Sequence, residues 1–87
     1  MLDAHQLNIF LMAAELENFS QAARHLSLSQ PSVSAHIQSL EQLFGTQLFH
    51  RSGRHITLTE AGEALVPLAR EMVHLSLRIR EIGRAHV

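Results

Sequence analysis

Hydrogen-bonding side chains cluster in the stretch SLSQPSVSAHIQSLE, residues 27–41. Glutamine can donate and accept together, as a bidentate contact with the N6 and N7 atoms of adenine requires, and serine can bond to either kind of base. Proline and alanine can touch a thymine methyl group. On their own, such residues are more typical of a solvated helix face, and the surrounding elements decide between the two interpretations. The candidate base-reading residues are Gln30, Pro31, Ser32, Ser34, Ala35 and Gln38.

Apolar spacing predicts three helices in the first half of the chain. The first spans residues 3–17, where apolar residues recur at i, i+3, i+4 and i+7: Leu7, Phe10, Leu11 and Ala14. Asp3 is its predicted cap, and Ser20 is the predicted cap of a short second helix, QAARHL. The third helix is predicted to begin at Ser29 or Gln30 and to end at Gly45. Its buried stripe is expected to comprise Val33, Ile37, Leu40 and Phe44.

The second half of the chain predicts a short hairpin and a long helix. In QLFHRSGRHITLT, apolar residues flank a basic turn, and Ile56 and Leu58 alternate with Thr57, as in a β-wing. Thr59 is the predicted cap of a last helix, in which Pro67 should cost a hydrogen bond or cause a kink. Apolar residues follow in this helix at steps of three and four. They predict a dimer seam, unless they pack on their own domain: Leu65, Leu68, Met72, Leu75 and Ile79.

The order of these elements predicts the fold class. It is mostly α, a winged helix-turn-helix of three helices plus a short β-hairpin wing, followed by a long dimerisation or linker helix. The second and third predicted helices form the helix-turn-helix motif. The second helix of such a motif enters the major groove of DNA, so the polar face of the third predicted helix is interpreted as a recognition surface.

Affinity for DNA comes mainly from phosphate contacts, and residues 27–41 contain no Lys and no Arg. Arg51 and Arg54 flank the predicted wing tip and are the best fixed charges for backbone or minor-groove contact, although Arg51 could instead pair with a carboxylate at the core edge. Ser20 and Ser29, near helix starts, can offer hydroxyl and backbone N–H groups to phosphates. The predicted phosphate and minor-groove residues are Ser20, Ser29, His36, Arg51, Arg54 and His55.

Histidines offer a second source of positive charge. His36, His50 and His55 are predicted to lie on or near the DNA side, where phosphates favour charged imidazole. We therefore expect binding to tighten as the pH falls from about 7.5 to about 6. His50 and His55 are five positions apart, but without cysteine or HExxH-type spacing they do not indicate a metal site. No metal and no cofactor are expected.

Length and composition limit the other possibilities. The 87 residues suffice for one small domain, and the formal net charge is −1 with histidine neutral. There is no cysteine, and no apolar run approaches the roughly 20 residues that cross a bilayer. We expect a cytoplasmic, nucleoid-associated protein without a membrane partner. The sequence has no nucleophile elbow and no glycine-rich phosphate loop, so an enzyme is not expected.

Several motifs in a fixed order resemble the N-terminal DNA-binding region of LysR-type transcriptional regulators. The matching residues are Phe10, Ala14, NFSQAARHLSLSQPSVS (18–34), Ile37, Leu40-Glu41, Gly45, LFHR (48–51), Arg54 and LTEAG (58–62). The resemblance covers about residues 5–80. It implies a winged helix-turn-helix, a linker helix that dimerises and a C-terminal effector-binding domain that these residues do not include. Glu17 stands where the family often has Gly, and Ala35 where it often has Arg, which removes a frequent base contact.

The expected organisation is a DNA-binding domain at residues 1–58 and a linker or dimerisation helix at 59–80. Gly83 is expected to interrupt that helix, and IGRAHV (82–87) matches one reading frame of a common sequencing adapter, so residues 81–87 are expected to be a non-native tail. The expected function is a sequence-specific transcription regulator that binds an inverted repeat in double-stranded DNA as a homodimer. A small-molecule effector is expected only through the absent C-terminal domain. The alternative is a winged-helix interaction or dimerisation module without DNA binding.

Overall fold

The computed structural model describes residues 2–85 except Arg54, so the prediction for Arg54 lies outside the described residues. Six elements follow one another: α1 (Ala4–Leu16), α2 (Phe19–Leu26), α3 (Gln30–Phe44), β1 (Phe49–Ser52), β2 (His55–Leu58) and α4 (Glu60–Ala85). The two strands pair antiparallel and form the wing. The predicted fold class, a winged helix-turn-helix followed by a long helix, is confirmed.

Side-chain caps begin α1 and α3 at the predicted residues. Asp3 Oδ1 accepts a hydrogen bond from the Gln6 N–H at 2.8 Å, and Ser29 Oγ accepts one from the Ser32 N–H at 3.1 Å. Both caps satisfy a backbone donor that has no partner inside the helix. Of the two residues considered for the start of α3, Ser29 is therefore the cap.

The prediction that Ser20 caps the second helix is wrong. Asn18 Oδ1 accepts from the Gln21 N–H at 2.8 Å, and α2 begins at Phe19, so Ser20 lies inside the first turn. Asn is at least as good a cap as Ser. The Phe19 ring also packs edge-to-face on Phe49, with ring centroids 5.5 Å apart, which favours including Phe19 in the helix.

One apolar core joins α1 and α3 to the wing and to the first half of α4. Its largest fully buried side chains are Phe10, Phe49, Ile9, Ile37, Leu40, Leu48 and Val33. Phe44, expected in the buried stripe of α3, is instead 41% exposed. It is the last residue of α3, and the chain turns away at Gly45, whose φ is +67°. Core neighbours therefore cover only part of the Phe44 ring.

The entry into α4 is held tightly against the segment that precedes the wing. Thr59 caps α4 as predicted, because its Oγ1 accepts from the Gly62 N–H at 3.1 Å, and it also donates to the Gln47 carbonyl at 2.7 Å. Gly62 is buried, and a Cβ at this position would overlap the Leu48 carbonyl oxygen. A side chain at position 62 would therefore force α4 away from the core.

Helix α4 belongs to the core at one end and projects from it at the other. Ala69 is buried, and other apolar residues of its first half are partly buried against the core: Ala61, Leu65, Val66 and Val73. The helix includes Pro67 and continues through Gly83 to Ala85. The prediction that Gly83 interrupts the helix is wrong. A single glycine in a helix costs only about 1 kcal/mol relative to alanine, which does not require the helix to end.

The carboxylate of Glu41 connects α3 to the wing. Its Oε2 accepts from the backbone N–H groups of Leu48, at 2.8 Å, and Phe49, at 3.4 Å. Its Oε1 accepts from Arg51 Nη2 at 3.0 Å. The Glu41 side chain is only 12% exposed, so water screens these bonds less than it would on an open surface. One side chain thus sets where the wing begins relative to α3.

Replacing Glu41 by Gln should lower the free energy of unfolding by about 1–3 kcal/mol, the usual cost of impairing hydrogen bonds to a charged group. The amide keeps one acceptor but loses the negative charge and the second acceptor oxygen. Urea unfolding followed by far-ultraviolet circular dichroism measures the change. Glu71→Gln, at an exposed position of α4, is the matched control and should leave stability unchanged. Equal stability of the Glu41→Gln variant and the unmodified chain would contradict this role.

Candidate nucleic-acid interface

The six candidate base-reading residues lie on, or beside, the side of α3 that faces away from the core. Successive residues of a helix are turned by about 100°, so with Val33, Ile37 and Leu40 buried the opposite side carries Pro31, Ala35 and Gln38. Ser32 and Ser34 flank that side, and Gln30 begins the helix. Ser32 and Ser34 are partly buried. The other four are exposed: Gln30, Pro31, Ala35 and Gln38. We call these six residues the outward face of α3.

Within the outward face, the side chains of Gln30 and Ser34 are hydrogen-bonded to each other. Gln30 Nε2 donates a hydrogen bond to Ser34 Oγ at 2.9 Å, across one turn of the helix. Gln30 is the first residue of α3, and the first turn of a recognition helix is where base edges are usually reached. The first turn of α3 therefore carries an exposed glutamine whose side chain is hydrogen-bonded to a neighbour.

An open groove brings the start of α3 together with α2 and the wing. Its volume is about 490 Å³, and we call it the α2–wing groove. Its lining includes Ser20 and Arg24 from α2, Gln30 from α3, and Arg51 and Gly53 from the wing. Residues predicted for base reading and for phosphate contact thus meet at one surface, although they come from separate parts of the sequence.

Two arginines line the α2–wing groove, in different electrostatic settings. Arg51 bonds to Glu41, and its guanidinium carbon lies 5.6 Å from the centroid of the Phe19 ring. Its pairing with a core-edge carboxylate, left open by the sequence, is therefore observed. Arg24 is exposed and forms no ion pair with any other described residue. Arg24 was not among the predicted site residues, but it follows Ser20 by four positions and therefore shares one face of α2 with it.

The histidines are not brought to the α2–wing groove. In the hairpin register, Arg51 pairs with Ile56, whereas His50 pairs with Thr57 and His55 pairs with Ser52. Because side chains alternate across a strand, His50 and His55 lie on the opposite face of the wing from Arg51. Both are exposed, and His55 begins β2 beside the hairpin turn.

His36, predicted for phosphate or minor-groove contact, contacts α1. Its Nδ1 is 3.3 Å from Gln6 Nε2, and its ring meets the His5 ring edge-to-face with centroids 5.4 Å apart. Gln6 is 93% buried, so this contact occupies the junction between α1 and α3. Ser29, the remaining phosphate candidate, is exposed, and its oxygen caps α3.

The predicted dimer seam is largely uncovered. Four of its residues, and Ile82 one step further along, are between 42% and 62% exposed: Leu68, Met72, Leu75, Ile79 and Ile82. We call these five the α4 stripe. Packing on the chain's own domain, the alternative for this seam, holds only for Leu65, which is partly buried against the core. Ile82 was expected in a tail, yet its spacing continues the stripe.

Two further properties concern only the part of the chain that the structure describes. None of its helices combines the length and apolar character needed to span a membrane. Its histidine, aspartate and glutamate side chains form no group of three or more that could hold a metal ion.

Sequence comparisons connect this architecture to known regulators. Residues 4–63 match the model for "Bacterial regulatory helix-turn-helix protein, lysR family". The chain is 42% identical over 86 residues to the transcriptional regulator XapR of Escherichia coli, covering 94% of this chain and 29% of XapR. It is 46% identical over 84 residues to TfdS of Cupriavidus pinatubonensis, covering 97% of this chain and 28% of TfdS. The chain therefore spans less than a third of the length of these two curated relatives.

Solved structures show the same arrangement. The chain is similar to the CbnR DBD in its complex with DNA, with a TM-score of 0.89, 38% identity and 97% coverage of both chains. It is also similar to full-length OxyR from Pseudomonas aeruginosa, with a TM-score of 0.92 and 29% identity, covering 99% of this chain and 29% of OxyR. The family match covers more than half of the residues, and the winged helix-turn-helix agrees with it. This chain belongs to the lysR family of bacterial regulatory helix-turn-helix proteins.

Proposed function

We propose that this chain is the sequence-specific DNA-binding part of a transcription regulator that binds an inverted repeat as a dimer. The observation that carries the proposal is the α2–wing groove, where the first residue of α3 meets two arginines and a serine from other elements. Such a surface can contact a base edge and the neighbouring phosphates together. The structural similarity to the CbnR DBD bound to DNA supports the same role here.

In this proposal, the outward face of α3 enters the major groove and supplies the base contacts. Residues 1–58 form the DNA-binding domain, and residues 59–80 form the linker and dimerisation helix. The role is binding rather than catalysis, and it is carried out at the chromosome in the bacterial cytoplasm. An effector site is not proposed within these residues, which cover 29% of XapR and 28% of TfdS.

Arg24 and Arg51 are both proposed to contact phosphates, with the larger electrostatic contribution from Arg24. Arg24 is exposed and free of any described ion pair, so its full charge is available to a phosphate. Arg51 shares its charge with Glu41, but a guanidinium has five N–H donors and can bond to a phosphate at the same time. Ser20 lies in the first turn of α2, where hydroxyl and N–H groups favour an anion.

Binding should weaken with salt, because each neutralised phosphate contributes about −0.9 to the slope of log affinity against log salt concentration. Arg24→Ala removes one phosphate contact from each half-site, so it should reduce the magnitude of that slope by about 1.8 for the dimer and weaken binding to all sequences similarly. Fluorescence anisotropy titrations across a salt series measure both effects. Arg78→Ala, which removes the same charge from exposed α4, should leave the slope unchanged. If the Arg24→Ala variant had the same slope as the unmodified chain, the proposed phosphate contact would be refuted.

The α4 stripe should hold the dimer together. Leu75→Glu places a charge among apolar residues and should convert the dimer to a monomer in sedimentation velocity. Leu77→Glu is the matched control, because Leu77 is similarly exposed but lies about 200° around the helix, beside α1. A chain that remains dimeric after Leu75→Glu would show that the stripe is not the interface.

DNA binding should tighten as the pH falls from about 7.5 to about 6, because phosphates favour imidazolium over neutral imidazole. A binding step that takes up protons is favoured at lower pH, so the affinity should rise as the pH falls. His55, beside the hairpin turn, is the proposed contributor, so His55→Ala should reduce the pH dependence more than His50→Ala. Affinities measured at both pH values and constant ionic strength provide the comparison. Identical affinities at the two pH values would exclude a histidine contribution.

A further inference from the structure

We propose that Ser34 is a positioning residue that acts through Gln30, so that Gln30 reads adenine and discriminates against guanine. This inference rests on the proposed function and assigns one base to one side chain. It differs from the simpler expectation that Ser34 contacts a base itself. The observation behind it is the hydrogen bond from Gln30 Nε2 to Ser34 Oγ at 2.9 Å.

The bond restricts a side chain that would otherwise be mobile. Gln30 is exposed, and its amide sits at the end of a flexible stem, so several rotamers are open to it in the absence of a partner. Ser34 is partly buried and lies one helical turn away, which places the two side chains on the same edge of α3. Gln30 also lines the α2–wing groove, so this restraint acts where α3 meets the proposed phosphate contacts.

Ser34 is well placed to act as the acceptor in this bond. A serine hydroxyl oxygen carries two acceptor lone pairs, and in this structure it accepts from the amide of Gln30. The direction of the bond sets the direction of the amide, with Nε2 towards Ser34 and Oε1 away from it.

The remaining hydrogen-bonding groups of Gln30 match one purine and not the other. A glutamine amide has two N–H donors and one carbonyl acceptor, and Ser34 occupies one donor. One donor and one acceptor remain, which complement the N7 acceptor and N6 amino donor of adenine. Guanine presents two acceptors, N7 and O6. One of them would face the carbonyl oxygen of Gln30, which is also an acceptor, so no hydrogen bond could form there. Removing the Ser34 hydroxyl releases the second donor and lets the amide rotate.

The test compares variants at the base pair that Gln30 contacts. Duplexes enriched from a random pool by the unmodified chain give the binding site, and Gln30→Ala identifies the position at which base preference is lost. At that position the chain should bind adenine at least about tenfold more tightly than guanine. Ser34→Ala and Ser34→Val should reduce this ratio to less than about threefold, whereas Ser34→Thr, with the shape of Val and a hydroxyl, should retain it.

Controls separate this inference from a general loss of structure or of function. Ser39→Ala removes a hydroxyl from α3 without touching the Gln30 bond and should keep the preference for adenine. Thermal unfolding should show that the variants fold, and the Val and Thr variants share the same side-chain shape. An adenine preference that survives Ser34→Ala and Ser34→Val, or a guanine preference in the unmodified chain, overturns the inference alone. A chain that binds no DNA at low salt overturns the proposed function as well.

Discussion

The carboxylate of Glu41 is the interaction on which the arrangement of this surface depends. It projects from α3, accepts two backbone N–H groups just where the chain enters the wing, and pairs with Arg51 on the first strand. The carboxylate accepts these three hydrogen bonds only when the donors lie at set positions around it. It therefore fixes the start of the hairpin relative to α3. The ring of Phe19 lies near the Arg51 guanidinium and connects the same cluster to α2. The Arg51–Glu41 pair thus joins α3 to the wing, and the Phe19 ring beside it joins α2 to the same cluster.

Under the proposed function, this arrangement explains how a helix without lysine or arginine can serve in DNA recognition. The outward face of α3 contains only uncharged groups that suit base edges, while Arg24 and Arg51 stand on α2 and the wing. The net charge of −1 hides this separation, because the four arginines and four glutamates of α4 cancel and three further acidic residues lie near the start of the chain. A recognition helix with few fixed charges gains little from non-specific attraction, so discrimination between bases depends on how well its polar side chains are oriented. The hydrogen bond from Gln30 to Ser34 orients one such side chain.

The order of elements could be predicted from sequence because each has strong local signals. Asp3 and Ser29 cap their helices as expected, and apolar spacing located α1, α3 and α4. Predictions failed where two local signals competed or where an element ended. Asn18 outcompeted Ser20 as a cap, Phe44 lost its cover at the end of α3, and Gly83 did not stop an exposed helix.

The composition of the site was only partly predictable, because it depends on contacts between elements distant in sequence. Helical spacing predicted the exposure of Pro31, Ala35 and Gln38 on α3, which the structure has, whereas Ser34 is partly buried. It could not show that His36 meets Gln6 across the α1–α3 junction, or that Arg24 joins Arg51 at one groove. The partner of Arg51 was open in the sequence for the same reason.

We propose that the outward face of α3 and the α2–wing groove together recognise a defined DNA sequence. The most direct measurement is selection of bound duplexes from a random pool by the unmodified chain, followed by sequencing of the enriched DNA. We expect enrichment of an inverted repeat, with half-sites one helical turn or a multiple of it apart, because the two-fold symmetry of a dimer is mirrored in its DNA site. A pool that shows no enriched sequence after repeated rounds would contradict it.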